Sequence, residues 1–266
     1  QRYLEIESRR RRSLKLGFEI YRFVSLLYVA VIFQVSLLGN EIPFQPGEKL
    51  EYELKWGYFP VGSATLEVLP MKKDGDGPLY HLSFRVRTNS FADKIYKVRT
   101  EIQSEVSSNF SRSLSYRKKQ KEGRTQRDIF VQFDYEKNIA TYQQKGGIIS
   151  YLPIPKKVFD PLAIAYFFRI GQLSSNLKIN LPTCDGKKIQ NIVVKTTERE
   201  KIKVPAGTFY AYKTIPEMKN LRGVFKKSPD GILQVWYADD EEKIPIKISS
   251  KVVVGSFTAS LKSRIK

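Results

Sequence analysis

The sequence predicts a mainly β protein: a curved antiparallel sheet or half-open β-barrel with one short central helix, preceded by an N-terminal signal or anchor helix. Apolar and polar residues alternate through most of the chain after residue 41, which is the period of strands with one buried face. A single segment, residues 160–173, combines helix capping with helical composition. With 41% hydrophobic residues and a mean hydropathy of -0.36, the 266-residue chain is neither disordered nor a polytopic membrane protein.

Residues 1–40 predict a basic leader followed by a signal peptide or membrane anchor. Four consecutive arginines, Arg9 to Arg12, precede an uncharged run over residues 23–38. That run is slightly long for a signal core of about 7–15 residues and slightly short for a helix across about 30 Å of hydrocarbon, so both alternatives stay open. Because the arginines stay cytoplasmic, either alternative exports the rest of the chain. We expect a single β-rich domain, residues 41–266, that is periplasmic and either soluble or tethered to the inner membrane through residues 23–38.

Four consecutive amphipathic strands open this domain and predict an antiparallel meander. The first two, residues 50–56 and 62–68, form a hairpin, and the next two cover residues 80–86 and 96–102. Further strands are expected at residues 114–120, 129–135, 139–143, 189–197, 209–215, 233–237, 244–251 and 256–261.

The predicted helix begins after Asp160, an N-cap residue, with Pro161 at the first helical position. The helix is apolar nearly all round, so other elements should cover it on more than one side. We therefore expect it to plug or flank the curved sheet.

The scarcity of cysteine and histidine removes several kinds of active site. One Cys and one His exclude a disulfide framework, a Cys/His zinc site and any histidine cluster. His81 is expected to be exposed on the polar face of a strand, and Cys184, at a turn beside Asp185, to be inert. Residues 239–242, four acids in a row, predict a solvated hairpin tip, with Ca²⁺ the metal to test. No catalytic residue, metal ligand or cofactor is predicted.

The formal net charge of +19 favours an anionic partner. Because export separates the domain from nucleic acid, we expect lipid or anionic glycolipid instead. The densest basic cluster after the leader either docks on phosphates or keeps an edge hairpin from pairing, and both interpretations stay open. It comprises Arg112, Arg117, Lys118, Lys119, Lys121, Arg124 and Arg127.

Aromatic residues are numerous: 16 Phe, 15 Tyr and 2 Trp. In an all-β chain they can fill the core or line a cavity for acyl chains, and the sequence leaves both open. The predicted ligand-binding residues are six aromatics and three rim cations, namely Tyr52, Trp56, Phe84, Phe133, Phe168, Trp236, Arg117, Lys119 and Arg124.

Several segments, taken in order, form a recognisable pattern. The opening is PGEKLEY at residues 46–52, and the closing block begins with VPAGTF at residues 204–209. The other segments are residues 160–163, 235–240, 244–248 and 254–261. Together they resemble a bacterial family called domain of unknown function 3108. The resemblance implies an exported envelope protein of a mainly Gram-negative family, with a fold similar to the open barrels of lipoprotein carriers. The family has no assigned catalytic residue to carry over.

These observations support three functional hypotheses. The first is a non-catalytic periplasmic protein that binds a lipidic or amphiphilic anion in a half-open β-barrel. The alternative is an assembly or scaffold protein that acts through contacts with other envelope proteins. The third, a hydrolase, would have to use His81, the single imidazole of the chain.

Overall fold

A computed structural model describes residues 42–74, 77–217, 232–252 and 255–266, which belong to one unit, residues 42–266. The predicted leader and the apolar run at residues 23–38 lie outside the described residues. Two helices are described, α1 (Ser90–Asp93) and α2 (Pro161–Ile170). The strands are β1 (Lys49–Trp56), β2 (Phe59–Asp74), β3 (Gly77–Thr88), β4 (Val98–Ser107), β5 (Ser113–Glu122), β6 (Thr125–Asp134), β7 (Ile139–Gln144), β8 (Ile148–Pro153), β9 (Lys178–Cys184), β10 (Ile189–Val204), β11 (Gly207–Pro216), β12 (Ile232–Ala238), β13 (Pro245–Val252) and β14 (Gly255–Ile265).

All of these strands belong to one large antiparallel sheet, so the prediction of a mainly β fold is confirmed. The strand order is β8-β7-β6-β5-β4-β3-β2-β1-β14-β13-β12-β11-β10-β9. Strands β1 to β4 are consecutive neighbours, as the predicted meander requires. The pairing of β1 with β14 joins one meander, β1–β8, to a second, β9–β14. The sheet is not closed, because β8 and β9 remain as its two edges.

The segment before α2 and the β9–β10 turn bring distant parts of this sheet together. The backbone amide of Ser113 on β5 donates to the carbonyl of Val158 at 3.0 Å, and the next residue, Phe159, forms a parallel bridge with Thr183 on β9. The β9–β10 turn packs at Gly186 against Val131 on β6. These contacts curve the sheet around α2.

Helix α2 begins where the sequence predicts. The Asp160 carboxylate caps it, since Oδ1 accepts from the backbone amides of Leu162 at 2.8 Å and Ala163 at 3.1 Å. The helix ends at Ile170 rather than near residue 173, because Gly171 takes an extended backbone conformation. The Tyr237 hydroxyl donates to the carbonyl oxygen of Ala165 at 3.0 Å, which fixes α2 against β12.

Three described elements were not predicted from the sequence. Strand β8 is a short apolar run, IISYLP, without the alternation that identifies its neighbours. Strand β9 contains Pro182, which argues against a central strand but is tolerated at a sheet edge, where β9 lies. Helix α1 has a single turn capped by Asn89, too short to give a periodic signal.

A buried ionic network fastens α2 to the sheet. The side chain of Arg169 is inaccessible to solvent, and its guanidinium donates to both oxygens of Glu48, at 2.5 and 3.0 Å. Its Nε donates to the carbonyl oxygen of Glu242 at 3.0 Å. Arg264 on β14 binds the carboxylates of Glu48, at 2.7 Å, and Glu242. One network of ion pairs therefore links helix α2 to the start of β1 and the end of β14.

Candidate functional site

Four of the six predicted ligand-binding aromatics are buried in packed clusters: Tyr52, Phe133, Phe168 and Trp236. The Tyr52 hydroxyl donates to the carbonyl oxygen of Pro245 at 2.7 Å. The rings of Phe168 and Tyr237 lie 5.7 Å apart. The Trp236 indole donates to a Glu200 carboxylate oxygen at 2.8 Å. These contacts give Tyr52, Phe168 and Trp236 a packing role, and Phe133 packs within the second buried cluster.

The remaining two aromatics, Trp56 and Phe84, keep part of their surface uncovered. Trp56 is 38% exposed at the end of β1 and stacks on Phe257 of β14, with ring centroids 6.1 Å apart. Phe84 is half-buried in cross-strand register with Ile102 of β4. It belongs to a group of side chains that contact the core without being fully covered. This group, named here the inner apolar rows, is Leu54, Phe84, Val86 and Ile102.

Lys118 lies on the same face of the sheet as the inner apolar rows. It is in register with Ile102 on β4 and with Ile129 on β6, both of which point to the interior. Burial lowers the pKa of the Lys118 ammonium, and the nearby Arg127 adds to this effect, whereas Glu122 and Asp185 partly offset it. No ion pair joins Lys118 to another residue within the described ranges. The interior thus contains a partly desolvated cation, without an ion pair among the described residues, beside half-covered apolar side chains.

Gln120 lies two residues after Lys118 on β5 and therefore on the same face of the sheet. The amide of Gln120 donates through Nε2 to Glu122 at 2.7 Å, and Glu122 also accepts from the Thr100 hydroxyl at 2.7 Å. The amide oxygen of Gln120 is buried and has no hydrogen-bond partner among the residues that the structure describes. A buried acceptor of this kind can receive a ligand hydroxyl or amide proton.

The three predicted rim cations do not join the inner apolar rows. Arg117 and Lys119 alternate with Lys118 along β5 and therefore point to the outer face, where Arg117 pairs with Asp128 at 3.2 Å. Arg124 is exposed at the β5–β6 turn. These cations form one cluster in the sequence only when the period of two is ignored within the basic run. That period would have separated Lys118 from its neighbours.

The outer face carries a row of cations in register across β3, β4 and β5: Arg87, Arg99 and Lys121. Arg99 is neutralised by Asp93 at 2.7 Å. A shallow groove of about 560 Å³ lies over this row and also contacts Lys119. The edge-hairpin interpretation of the basic segment is wrong, since β5 and β6 lie inside the sheet between β4 and β7.

The other residues considered in the sequence occupy structural positions. His81 is half-buried rather than exposed and is in register with Glu105. Cys184 is fully buried, and burial raises the pKa of its thiol to about 11, which suits the interpretation of an inert cysteine.

The acidic run forms the connection between β12 and β13, as predicted. Two of its four members are in ion pairs, Asp239 with Arg199 at 2.5 Å and Glu242 with Arg264. Within the described ranges, no three His, Cys, Asp or Glu side chains lie close enough to hold a metal ion.

A further cleft, of about 820 Å³, lies at the end of the sheet where β4 meets β5. Its walls are mainly polar and include Asn109, Asp134 and Lys156, with Phe133 at one side. Arg112 stacks over the Tyr135 ring there, 4.2 Å from its centroid. Such a lining suits water and small polar solutes better than an acyl chain.

The described helices are all too short, or too polar, to traverse a lipid bilayer.

The geometry defines an open, β-barrel-like sheet. Helix α2 fills one side of its interior, and the other side is only half-covered. A β-barrel-like protein of domain of unknown function DUF1849 from Brucella abortus has a similar fold: TM-score 0.52, 9% identity, 82% of this chain and 96% of that chain covered.

Two other solved structures are less similar. A Bacteroides fragilis protein with a YmcC-like fold, assigned as exported, gives a TM-score of 0.38 at 11% identity, covering 85% of this chain and 98% of that one. A Parabacteroides distasonis protein assigned as a lipoprotein gives a TM-score of 0.30 at 12% identity, covering 83% of this chain and 96% of that one. No curated protein matches the chain at a significant level.

The chain belongs to the family described as protein of unknown function (DUF3108), which matches residues 51–262. The resemblance seen in the sequence is therefore confirmed. The family description names no activity, ligand or catalytic residue.

Proposed function

We propose that this protein is a non-catalytic periplasmic protein of the cell envelope that binds an anionic amphiphile, a lipid or anionic glycolipid. The apolar part of the ligand lies on the inner apolar rows, and its anionic group pairs with Lys118. The observation that carries this proposal is the position of Lys118, a partly desolvated cation without an ion pair among the described residues, in register with Ile102.

The apolar part of the proposed site includes one of the predicted aromatics, Phe84. The partial exposure of the inner apolar rows supports a contact surface for a hydrocarbon chain, because burying apolar area is the main driving force for such binding. Tyr52, Phe133, Phe168 and Trp236 are buried in packed clusters and leave little surface for a ligand.

The charged part of the site is supported by the energetics of Lys118. Burial disfavours its ammonium, so an anionic group that pairs with it recovers part of that cost. The buried amide oxygen of Gln120 offers an acceptor for a hydroxyl of the headgroup. Arg117 and Lys119 lie on the outer face and would affect such a ligand only through long-range attraction.

The test compares Lys118→Met with Lys119→Met, neighbouring substitutions of the same chemistry on opposite faces of β5. Calorimetry would measure binding of dihexanoyl phosphatidylglycerol, kept below its micelle concentration, to the full chain. Loss of a charge-assisted contact should weaken binding about tenfold or more in Lys118→Met. Lys119→Met should bind within about twofold of wild type, since an exposed charge contributes little.

The same pair of variants separates binding from folding. Lys118→Met removes a desolvated charge, so its melting temperature should equal or exceed that of wild type. Equal affinities for the two variants would refute the site. Weak binding by wild type itself, under conditions where the protein is folded, would refute the function.

The scaffold alternative is favoured by one feature, the edge strand β8. Its outward side chains Ile149 and Tyr151 are 56% and 70% exposed, and no charged residue interrupts the strand. Such an edge can receive a strand from another protein. Native mass spectrometry of the protein purified from its host distinguishes the two: bound lipid supports the amphiphile site, and a lipid-free chain found in a complex supports the scaffold.

A further inference from the structure

We propose that one end of the sheet, named here the loop end, docks on the surface of an anionic lipid bilayer. The loop end consists of the β1–β2 turn, the connection from β3 to β4 that contains α1, the β5–β6 turn and the first residues of β14. It is a different surface from the inner apolar rows and Lys118. The inference goes beyond the proposed function and does not depend on it.

Large apolar side chains are concentrated at the loop end with most of their surface in solvent. Tyr58 is 95% exposed, Ile95 66%, Phe59 64%, Phe91 58% and Tyr96 53%. A monomeric protein seldom exposes so many apolar side chains together unless they contact a partner.

Backbone and side-chain contacts make these loops one continuous surface. The Asn89 side chain donates to the carbonyl oxygen of Pro60 at 2.8 Å, which joins the β3–β4 connection to the β1–β2 hairpin. The amide of Gly123 donates to the carbonyl oxygen of Lys97 at 2.9 Å, which joins the β5–β6 turn to the same connection. The stacking of Trp56 on Phe257 extends the surface to β14.

The charges at the loop end match an anionic bilayer. Lys94, Lys97 and Arg124 are exposed, and none pairs with an acid in the described part of the chain. The nearby Asp93 is neutralised by Arg99. Aromatic side chains interleaved with Lys and Arg are typical of surfaces that sit at the level of lipid headgroups. The core of a protein interface, in contrast, is depleted of lysine, so a bilayer is the better match.

The experiment uses the full chain and measures tryptophan fluorescence, which the leader cannot produce because residues 1–40 contain no tryptophan. Both tryptophans, Trp56 and Trp236, lie in the described domain, and Trp56 is at the loop end. Vesicles of phosphatidylglycerol with brominated acyl chains should quench Trp56 on contact, and brominated phosphatidylcholine should quench it much less. The variant Trp56→Phe should lose the quenched component while still sedimenting with the vesicles.

A triple variant, Tyr58→Ser, Phe91→Ser and Ile95→Ser, tests the apolar contacts. Removing three inserted side chains should raise the lipid concentration for half-maximal quenching about tenfold or more. The matched control is Ile149→Ser with Tyr151→Ser, which removes similarly exposed apolar side chains from edge strand β8. The control should behave like wild type, and both variants should keep the wild-type melting temperature.

A second variant tests the charges: Lys94→Gln, Lys97→Gln and Arg124→Gln. Each cation near an anionic surface raises the binding affinity about fivefold, so removing all three charges should weaken binding about a hundredfold at low salt. The control, Lys156→Gln with Lys157→Gln, changes two exposed cations near the polar cleft and should have little effect.

Two results would overturn the inference. The first is vesicle-bound protein whose Trp56 is not quenched, because contact would then come from elsewhere in the chain. The second is equal quenching of wild type and the triple serine variant. In either case the exposed loops would be assigned to a protein partner. Because dihexanoyl phosphatidylglycerol binding is measured without a bilayer, the failure of docking and the failure of the Lys118 site give different results.

Discussion

Replacing Arg169 by methionine should destabilise the domain strongly although the substitution keeps most of the aliphatic volume. Arg169 is completely buried and donates three hydrogen bonds, two to Glu48 and one to the carbonyl oxygen of Glu242. Without the guanidinium, Glu48 retains a buried carboxylate paired with Arg264 alone. Removing one partner of a buried ion pair costs about 3 to 5 kcal/mol. For a domain of this size each kcal/mol lowers the melting temperature by about 2–4 °C, which predicts a loss of roughly 6–20 °C.

The matched control is Arg117→Met, the same chemical change at a side chain that is 45% exposed. Its ion pair with Asp128 lies at the surface, so the substitution should cost less than about 1 kcal/mol. Urea unfolding at neutral pH, followed by circular dichroism, gives both free energies with a check that the slope is unchanged. Similar losses of stability in the two variants would refute the view that the buried network fastens α2 to the sheet.

Two further predictions concern the packing and the pH dependence of the domain. Gly186→Ala should lower the free energy of unfolding by about 1–3 kcal/mol more than Gly146→Ala. Both glycines have positive φ. A Cβ at Gly186 would overlap the side chain of Val131, whereas one at Gly146 would meet nothing within 4 Å. Equal melting temperatures for the two variants would contradict this. The hydrogen bond from Arg264 lowers the pKa of Glu242 from 4.5 to about 2, so the stabilisation from this carboxylate is present above pH 4.5 and lost as the pH falls toward 2. In acid titrations followed by circular dichroism, Glu242→Gln should lack that loss, and an unchanged acid limb would show that the pair is not formed.

The strands with one buried face could be predicted from the sequence because their side chains alternate. Strand β1 shows Leu50, Tyr52 and Leu54 on one face and glutamates and a lysine on the other. The start of α2 could also be predicted, since Asp160 and Pro161 form a local signal that requires no tertiary contact. Strands β8 and β9 could not be predicted, because β8 lacks alternation and the Pro182 of β9 is tolerated only at a sheet edge, a position that the local sequence does not reveal.

The candidate site could be predicted only in part. Composition correctly indicated a basic, aromatic-rich domain, and Trp56 and Phe84 do lie on a half-covered surface. Sequence could not separate them from Tyr52 or Phe168, because burial depends on where α2 lies across the sheet. The curled sheet brings Asp185 of the β9–β10 turn close enough to influence the pKa of the Lys118 ammonium, a long-range effect that no motif encodes.

The pairing of β1 with β14 also constrains how the domain is made. The hydroxyl of Ser263 donates to the Glu51 carboxylate across 212 positions of sequence, and every bond between these two strands has a similarly large separation. The two meanders therefore cannot join until β14 has left the ribosome, and such long-range pairing makes folding slow. Under the proposed periplasmic location this delay would be useful, because the sheet could be completed only after β14 had crossed the membrane.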